Sequence, residues 1–212
     1  MRHPLLVFSL LILLAGHAAG QDDAEAVSIL DRFSSIALGA PSVSMKFTLI
    51  KEDQMENTID TLAGSIIMSK DRYKLDLPDN IIWFNGETSW SYLPAEKEVT
   101  ITNPDKDDDS FQNRPSSVFT LYKKGYKCRL LSETSSSYTI DLYPEDIKSD
   151  LLRVRILIGK SQMDLKNLEY KGRDGLVVTL QVEEYDLRKK PEAGTFVFQP
   201  GKFKGVEVID MR

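Results

Sequence analysis

From Val43 onward, apolar and polar side chains take turns. Val43, Met45, Phe47 and Leu49 alternate with Ser44, Lys46 and Thr48. A repeat of two places successive side chains on opposite faces of an extended strand, so this pattern writes a sheet with one dry face and one wet face. It returns in Thr58–Ser69, Glu98–Thr102, Tyr126–Ser132, Tyr138–Tyr143, Leu151–Gly159, Leu168–Gly172 and Leu176–Asp186, with Phe196–Phe198 and Val206–Ile209 closing the chain. Together these make about ten or eleven short strands, at the spacing of a sandwich or barrel. Nearly all the connections are short, which predicts an antiparallel meander. Gly64, inside Thr58–Ser69, marks a bulge or bend.

The stretch Gly64–Pro94 carries both tryptophans, Trp83 and Trp90, with Tyr73, Phe84 and Tyr92 close by. Its Asn85-Gly86 is a strong hairpin signal, because a tight turn needs φ > 0 at both central residues. It pairs Ile81–Phe84 with Thr88–Tyr92 and makes the stretch a ribbon with a greasy face.

Before the strands, Asp22–Leu38 has apolar residues at Ala26, Leu30, Phe33 and Ala37. Spacings of three and four predict one amphipathic helix. Gly39-Ala40-Pro41 stops it, with the glycine suited to a left-handed C-terminal position. Between the strands, Asp105–Ser117 is highly polar, with an acidic run at Asp107–Asp109, too polar to order itself. Val118–Tyr122 reads equally as a short helical excursion over the sheet or as an edge strand.

A sheet of this many strands must twist and curl. One helix and one short excursion are too little to fill its concave side. Either the sheet packs on itself or it encloses an apolar hollow.

The first twenty residues read as an export leader. Arg2 is the basic start, Leu5–Leu14 the apolar middle broken only by Ser9, and Ala18-Ala19-Gly20 the small-residue cleavage site. Cleavage leaves Gln21–Arg212 as a single domain. The residue at the cut is Gln21 and not a cysteine, which predicts no lipid anchor on this chain. Losing Arg2 takes the net charge of −5 to −6, the wrong sign for a nucleic-acid partner.

Both histidines, His3 and His17, leave with the leader. Ser-His-Asp and Cys-His catalysis and most zinc sites go with them. Cys128 is the lone cysteine, in an alternating run, and reads as a buried small hydrophobe. The carboxylate clusters Glu145-Asp146 and Glu183-Glu184 lack the spacing of a calcium loop and read as solvated faces. No phosphate-binding glycine loop or nucleophile elbow is present. The expectation is a protein that binds and does not catalyse, with no cofactor and no metal. A greasy pocket for an apolar ligand fits these features.

Ser42–Phe47, the glycine-led Gly64–Ser69, the hairpin Trp83–Tyr92 and the ending Phe196-Val197-Phe198-Gln199-Pro200 with Gly205-Val206-Glu207-Val208 together resemble the LolA family of periplasmic outer-membrane lipoprotein carriers. The resemblance implies a mainly β fold. It would be an incomplete, strongly curved antiparallel β-barrel of about 11 strands, lidded by the N-terminal helix and a short helix or loop over a hydrophobic cavity. It implies a periplasmic monomer that shields the acyl chains of lipoproteins, takes them from an inner-membrane exporter and gives them to an outer-membrane acceptor. The family's lid arginine falls at Lys70, with Arg72 two residues on, so these are the latch candidates. Lysine lacks the guanidinium fork.

By alternation, Val43, Met45, Phe47, Leu49, Ile66, Met68, Trp83, Trp90 and Tyr92 are expected to line the concave face, with Leu30 and Phe33 on the lid. The rival reading is a sensing or docking domain of the same fold without a transport role.

Overall fold

The computed structural model describes residues 23–105 and 114–212; the leader and Asp107–Asp109 lie outside the described residues. One helix, α1 (Ala24–Gly39), precedes β1 (Val43–Asp53), β2 (Thr58–Ser69), β3 (Arg72–Asp76), β4 (Ile81–Phe84), β5 (Ser89–Leu93) and β6 (Glu98–Thr102). After two 3-10 turns, Pro115–Phe119 and Leu121–Lys123, come β7 (Tyr126–Glu133), β8 (Ser137–Pro144), β9 (Leu151–Gly159), β10 (Asp164–Gly172), β11 (Leu176–Asp186) and β12 (Glu207–Asp210). Val118–Tyr122 is thus the helical excursion and not an edge strand.

α1 starts where Asp23 caps it, the carboxylate accepting from the N–H groups of Glu25 and Ala26. Such a cap satisfies amides that have no partner within the helix. The buried stripe Ala26, Ile29, Leu30, Phe33, Ala37 keeps the helical spacing. The C-terminus corrects the expected left-handed glycine. Gly39 is not among the positive-φ glycines, and the chain leaves the helix at Ala40, φ −73° and ψ 152°, because the residue before Pro41 is pushed to extended backbone.

The twelve strands form one sheet in the order β12-β6-β5-β4-β3-β2-β1-β11-β10-β9-β8-β7. Two antiparallel meanders, β1 to β6 and β7 to β11, meet where β1 pairs β11, and the ends do not join. The result is a curved open sheet. β12 departs from the antiparallel expectation by running parallel to β6. A long return segment from β11 frees it from hairpin geometry.

Three local expectations are corrected. Gly64 is no bulge: β1 and β2 pair without a shift, and the irregularity sits across β1 and β11 at Lys46/Phe47. Gly64 lies opposite Phe47, where a Cβ would stand 2.8 Å from the Phe47 ring and 2.8 Å from Leu77 Cδ2, so its bareness gives both side chains room. At Asn85-Gly86 only the glycine has positive φ, +100°. Asn85 instead uses its side chain, Oδ1 accepting from Glu87 and Thr88 N–H at 2.9 and 2.8 Å. Phe196–Phe198 is not a strand; the Val197 N–H bonds to the Gly194 carbonyl in a turn that lays both phenylalanines on the sheet.

Candidate functional site

The inner face of the sheet follows from the pairing. Val43 faces Met68, Met45 faces Ile66 and Phe47 faces Gly64. Met68 then faces Tyr73, and Tyr73 faces Phe84, while Ile66, Leu75 and Ile82 form the neighbouring row. Across the other meander, Ile140, Leu142, Val154, Ile156, Ile158 and Leu168 complete one continuous apolar lining. Onto it α1 lowers Leu30 and Phe33, and the excursion adds Phe119 and Tyr122. The Phe33 and Phe119 rings lie 5.4 Å apart. Burial raises the Tyr73 phenol to about 12.

The cover is uneven. Leu30 and Phe33 are 0% and 1% exposed, whereas Leu49, Leu75, Leu77, Ile82 and Tyr170 are only half-buried. These lie toward the end of the half-barrel that carries the turns at Gln54–Asn57, Pro78–Asn80 and Arg173–Gly175, and Phe84, Val182 and Tyr185, also half-buried, lie toward the other end. A trough of half-covered apolar side chains beside a helix plug is a place where a hydrocarbon chain gains by entering.

The expected lining splits in two. Val43, Met45, Phe47, Leu49, Ile66 and Met68 stand on the inner face with Leu30 and Phe33 above them. Trp83, Trp90 and Tyr92 do not: they face outward, away from α1, in a separate cluster with Val99 and Phe198. Ile81-Ile82-Trp83-Phe84 is apolar on both faces, so alternation cannot say which face is in. Ser89-Trp90-Ser91-Tyr92 does alternate, but its aromatic face is the outer one, covered by Phe198 and Phe203. The signal lay next door: Tyr73 and Leu75 alternate cleanly with Lys74 and Asp76, and pairing carries that phase to Phe84 and Ile82.

The latch candidates also move. Lys70 is an exposed turn residue with φ +56°. Arg72 holds its guanidinium 5.0 Å from the Phe196 ring, at a cavity of about 420 Å³ shared with Pro41 and Glu192. Neither bonds to α1 among the described residues. What holds the helix is Asp23, whose N–H donates to the Cys128 carbonyl at 3.1 Å and whose Oδ2 accepts from Leu130 N–H at 3.2 Å, pinning it to the edge strand β7. Midway, the Tyr122 hydroxyl donates to Asp31 at 2.5 Å, and burial followed by that bond raises the Tyr122 phenol. Arg32 reaches the Tyr138 hydroxyl at 3.4 Å. Sequence patterning offers no signal for such pairs, since Asp31 and Tyr122 are far apart in the chain.

Among the described residues, no group of three His, Cys, Asp or Glu side chains is placed to hold a metal ion. No helix there is long and apolar enough to cross a membrane.

An open, one-sheet half-barrel with an apolar inner face and an N-terminal helix laid into it is the architecture of the lipoprotein-carrier fold class. The family comparison agrees: the model of the outer membrane lipoprotein carrier protein LolA matches residues 17–166, and the chain belongs to that family. The match stops short of β11, β12 and the segment between them. No curated protein matches the chain in sequence. Among solved structures, an uncharacterized conserved protein from Thermus thermophilus is similar with a TM-score of 0.58 and 13% identity, over 88% of this chain and 99% of that one. A LolA superfamily protein from Nitrosomonas europaea has a TM-score of 0.42 at 13% identity, over 82% and 97%. LprF from Mycobacterium bovis has 0.47 at 7%, over 82% and 100%.

Proposed function

We propose that this protein is an exported carrier that shelters the acyl chains of lipoproteins between the inner and outer membranes. The observation that carries this reading is the continuous apolar inner face, covered by α1 and bordered by half-buried apolar side chains. Each buried methylene is worth about 0.8 kcal/mol, so a carrier must match that interior or the cargo stays in the membrane. Leu30, Phe33 and Phe119 occupy the covered part of the interior. Cargo therefore enters at the Leu75, Leu77, Ile82 end and displaces α1 as it fills the rest, breaking the Tyr122–Asp31 bond. The leader supports a periplasmic location, and an inner-membrane exporter and an outer-membrane acceptor are the partners this role requires.

The test is uptake of a diacylated lipopeptide by the purified protein, followed by native mass spectrometry. Ile82→Asp, on the inner face, is expected to reduce binding at least tenfold, while Trp90→Asp, on the outer face, leaves it within about twofold. Equal loss in both, or binding of free phospholipid but no lipopeptide, would sink the carrier reading.

A further inference from the structure

Three turns at one end of the half-barrel, Gln54–Asn57, 145–150 and Arg173–Gly175, are bonded to one another. The Gln54 N–H donates to the Gly175 carbonyl, and the Arg173 guanidinium donates to the Ser149 and Ile147 carbonyls at 2.8 and 3.4 Å. Asp53 Oδ1 accepts from Met55 and Glu56 N–H, which fixes the β1–β2 tip. On this braced platform Met55 and Ile147 are 81% and 84% exposed, flanking the Arg173–Gly175 turn, and Ile59, 67% exposed, follows on β2. Large apolar residues are rarely presented so fully. The backbone that carries these is hydrogen-bonded at each turn, which limits the ordering cost of a contact made through them.

Around the anchors stand Glu52, Glu56, Glu145, Asp146 and Asp174, none of them in an ion pair among the described residues. Lys148 and Arg173 are the two cations of these turns, against seven carboxylates once Asp53 and Asp150 are counted, so the platform stays acidic. Like charge disfavours a second copy of this platform and an anionic bilayer alike. We infer that the Met55/Ile147 platform docks a partner protein through a basic surface with an apolar seat. Electrostatic attraction speeds such an encounter and the two apolar anchors hold it.

The experiment places a photo-crosslinking amino acid at position 55 or 147 of the full chain, in the cell envelope, with position 208 as control. Both positions are exposed, so the fold is expected to survive, and circular dichroism checks it. The expected result is one protein adduct from 55 and 147, absent from 208, whose crosslinked peptide is rich in Lys and Arg. Its yield should fall at least fivefold in the Glu52→Lys/Glu145→Lys variant. Adducts to lipid, to a second copy, to a peptide without basic residues, or a yield unmoved by the charge reversal each overturn the proposal, as does no adduct at all. Lipopeptide uptake measured on the same variants separates this outcome from the carrier reading, since docking can fail while uptake persists.

Discussion

The outer face of the sheet is finished in two opposite ways. Over β8, β9 and β10 it is ionic: Arg155 grips Asp141 with two bonds of 2.7 and 2.8 Å, and Arg153 joins Asp141 to Glu169. Over β4, β5 and β6 it is aromatic: Trp83 and Tyr92 lie under Phe198 and Phe203, with the Tyr92 and Phe203 ring centroids 4.8 Å apart. The ionic half needs no roof, because water can reach its arginines. The aromatic half needs one, and the segment after β11 supplies it before ending as β12. The difference teaches that the C-terminal segment is part of the fold's closure, on the face away from α1.

The largest expected break in this comparison comes from Phe198→Ala, which removes a buried ring from the roof and should cost about 3 kcal/mol in a urea melt. Next, Arg155→Met strips the main partner from Asp141, whose side chain is 1% exposed, and should cost about 2 kcal/mol, moderated by Arg153 and by the partial exposure of Arg155. The double variant Asp141→Leu/Arg155→Met should recover most of that loss, because no buried charge is then stranded. A full Arg155→Met loss retained in the double variant would show that the pair matters for packing and not for charge.

Acid should separate the halves more gently. Burial alone raises the Asp141 carboxyl, but the bonds from Arg155 and Tyr143 and the charge of Arg153 outweigh it, so it titrates below its ordinary value. A group depressed in the folded state contributes stability above its unfolded pKa and loses it as pH falls through the folded one. Stability should therefore decline below about pH 4, and the double variant should flatten this decline. The smallest effect is expected on the inner side: Tyr122→Phe removes the bond to Asp31, costs about 1 kcal/mol and speeds hydrogen exchange in α1 before it changes the global melt.

Much of the architecture is legible in the residues. Val43–Leu49 and Tyr126–Ser132 have one polar face each, so their alternation has a phase, and β2, β6, β9 and β11 begin and end where turn residues say they should. β10 starts earlier than the pattern suggests, because Asp164-Leu165-Lys166 spans a shift in its pairing with β9. The site was half legible. Met45 and Phe47 declare their side by alternating with Ser44, Lys46 and Thr48, and pairing passes that side to Ile66 and Met68, whereas Ile81–Phe84 declares nothing and its tryptophan went outward.

The order of residues alone determined that this chain makes a many-stranded curved sheet preceded by an amphipathic helix, since periodicity and composition are local properties. Tertiary structure alone decided which way Trp83 and Tyr92 face, what holds α1 and what roofs the aromatic half. Those depend on pairs such as Asp31 with Tyr122 and Trp83 with Phe198, which meet only after the sheet has brought distant segments together.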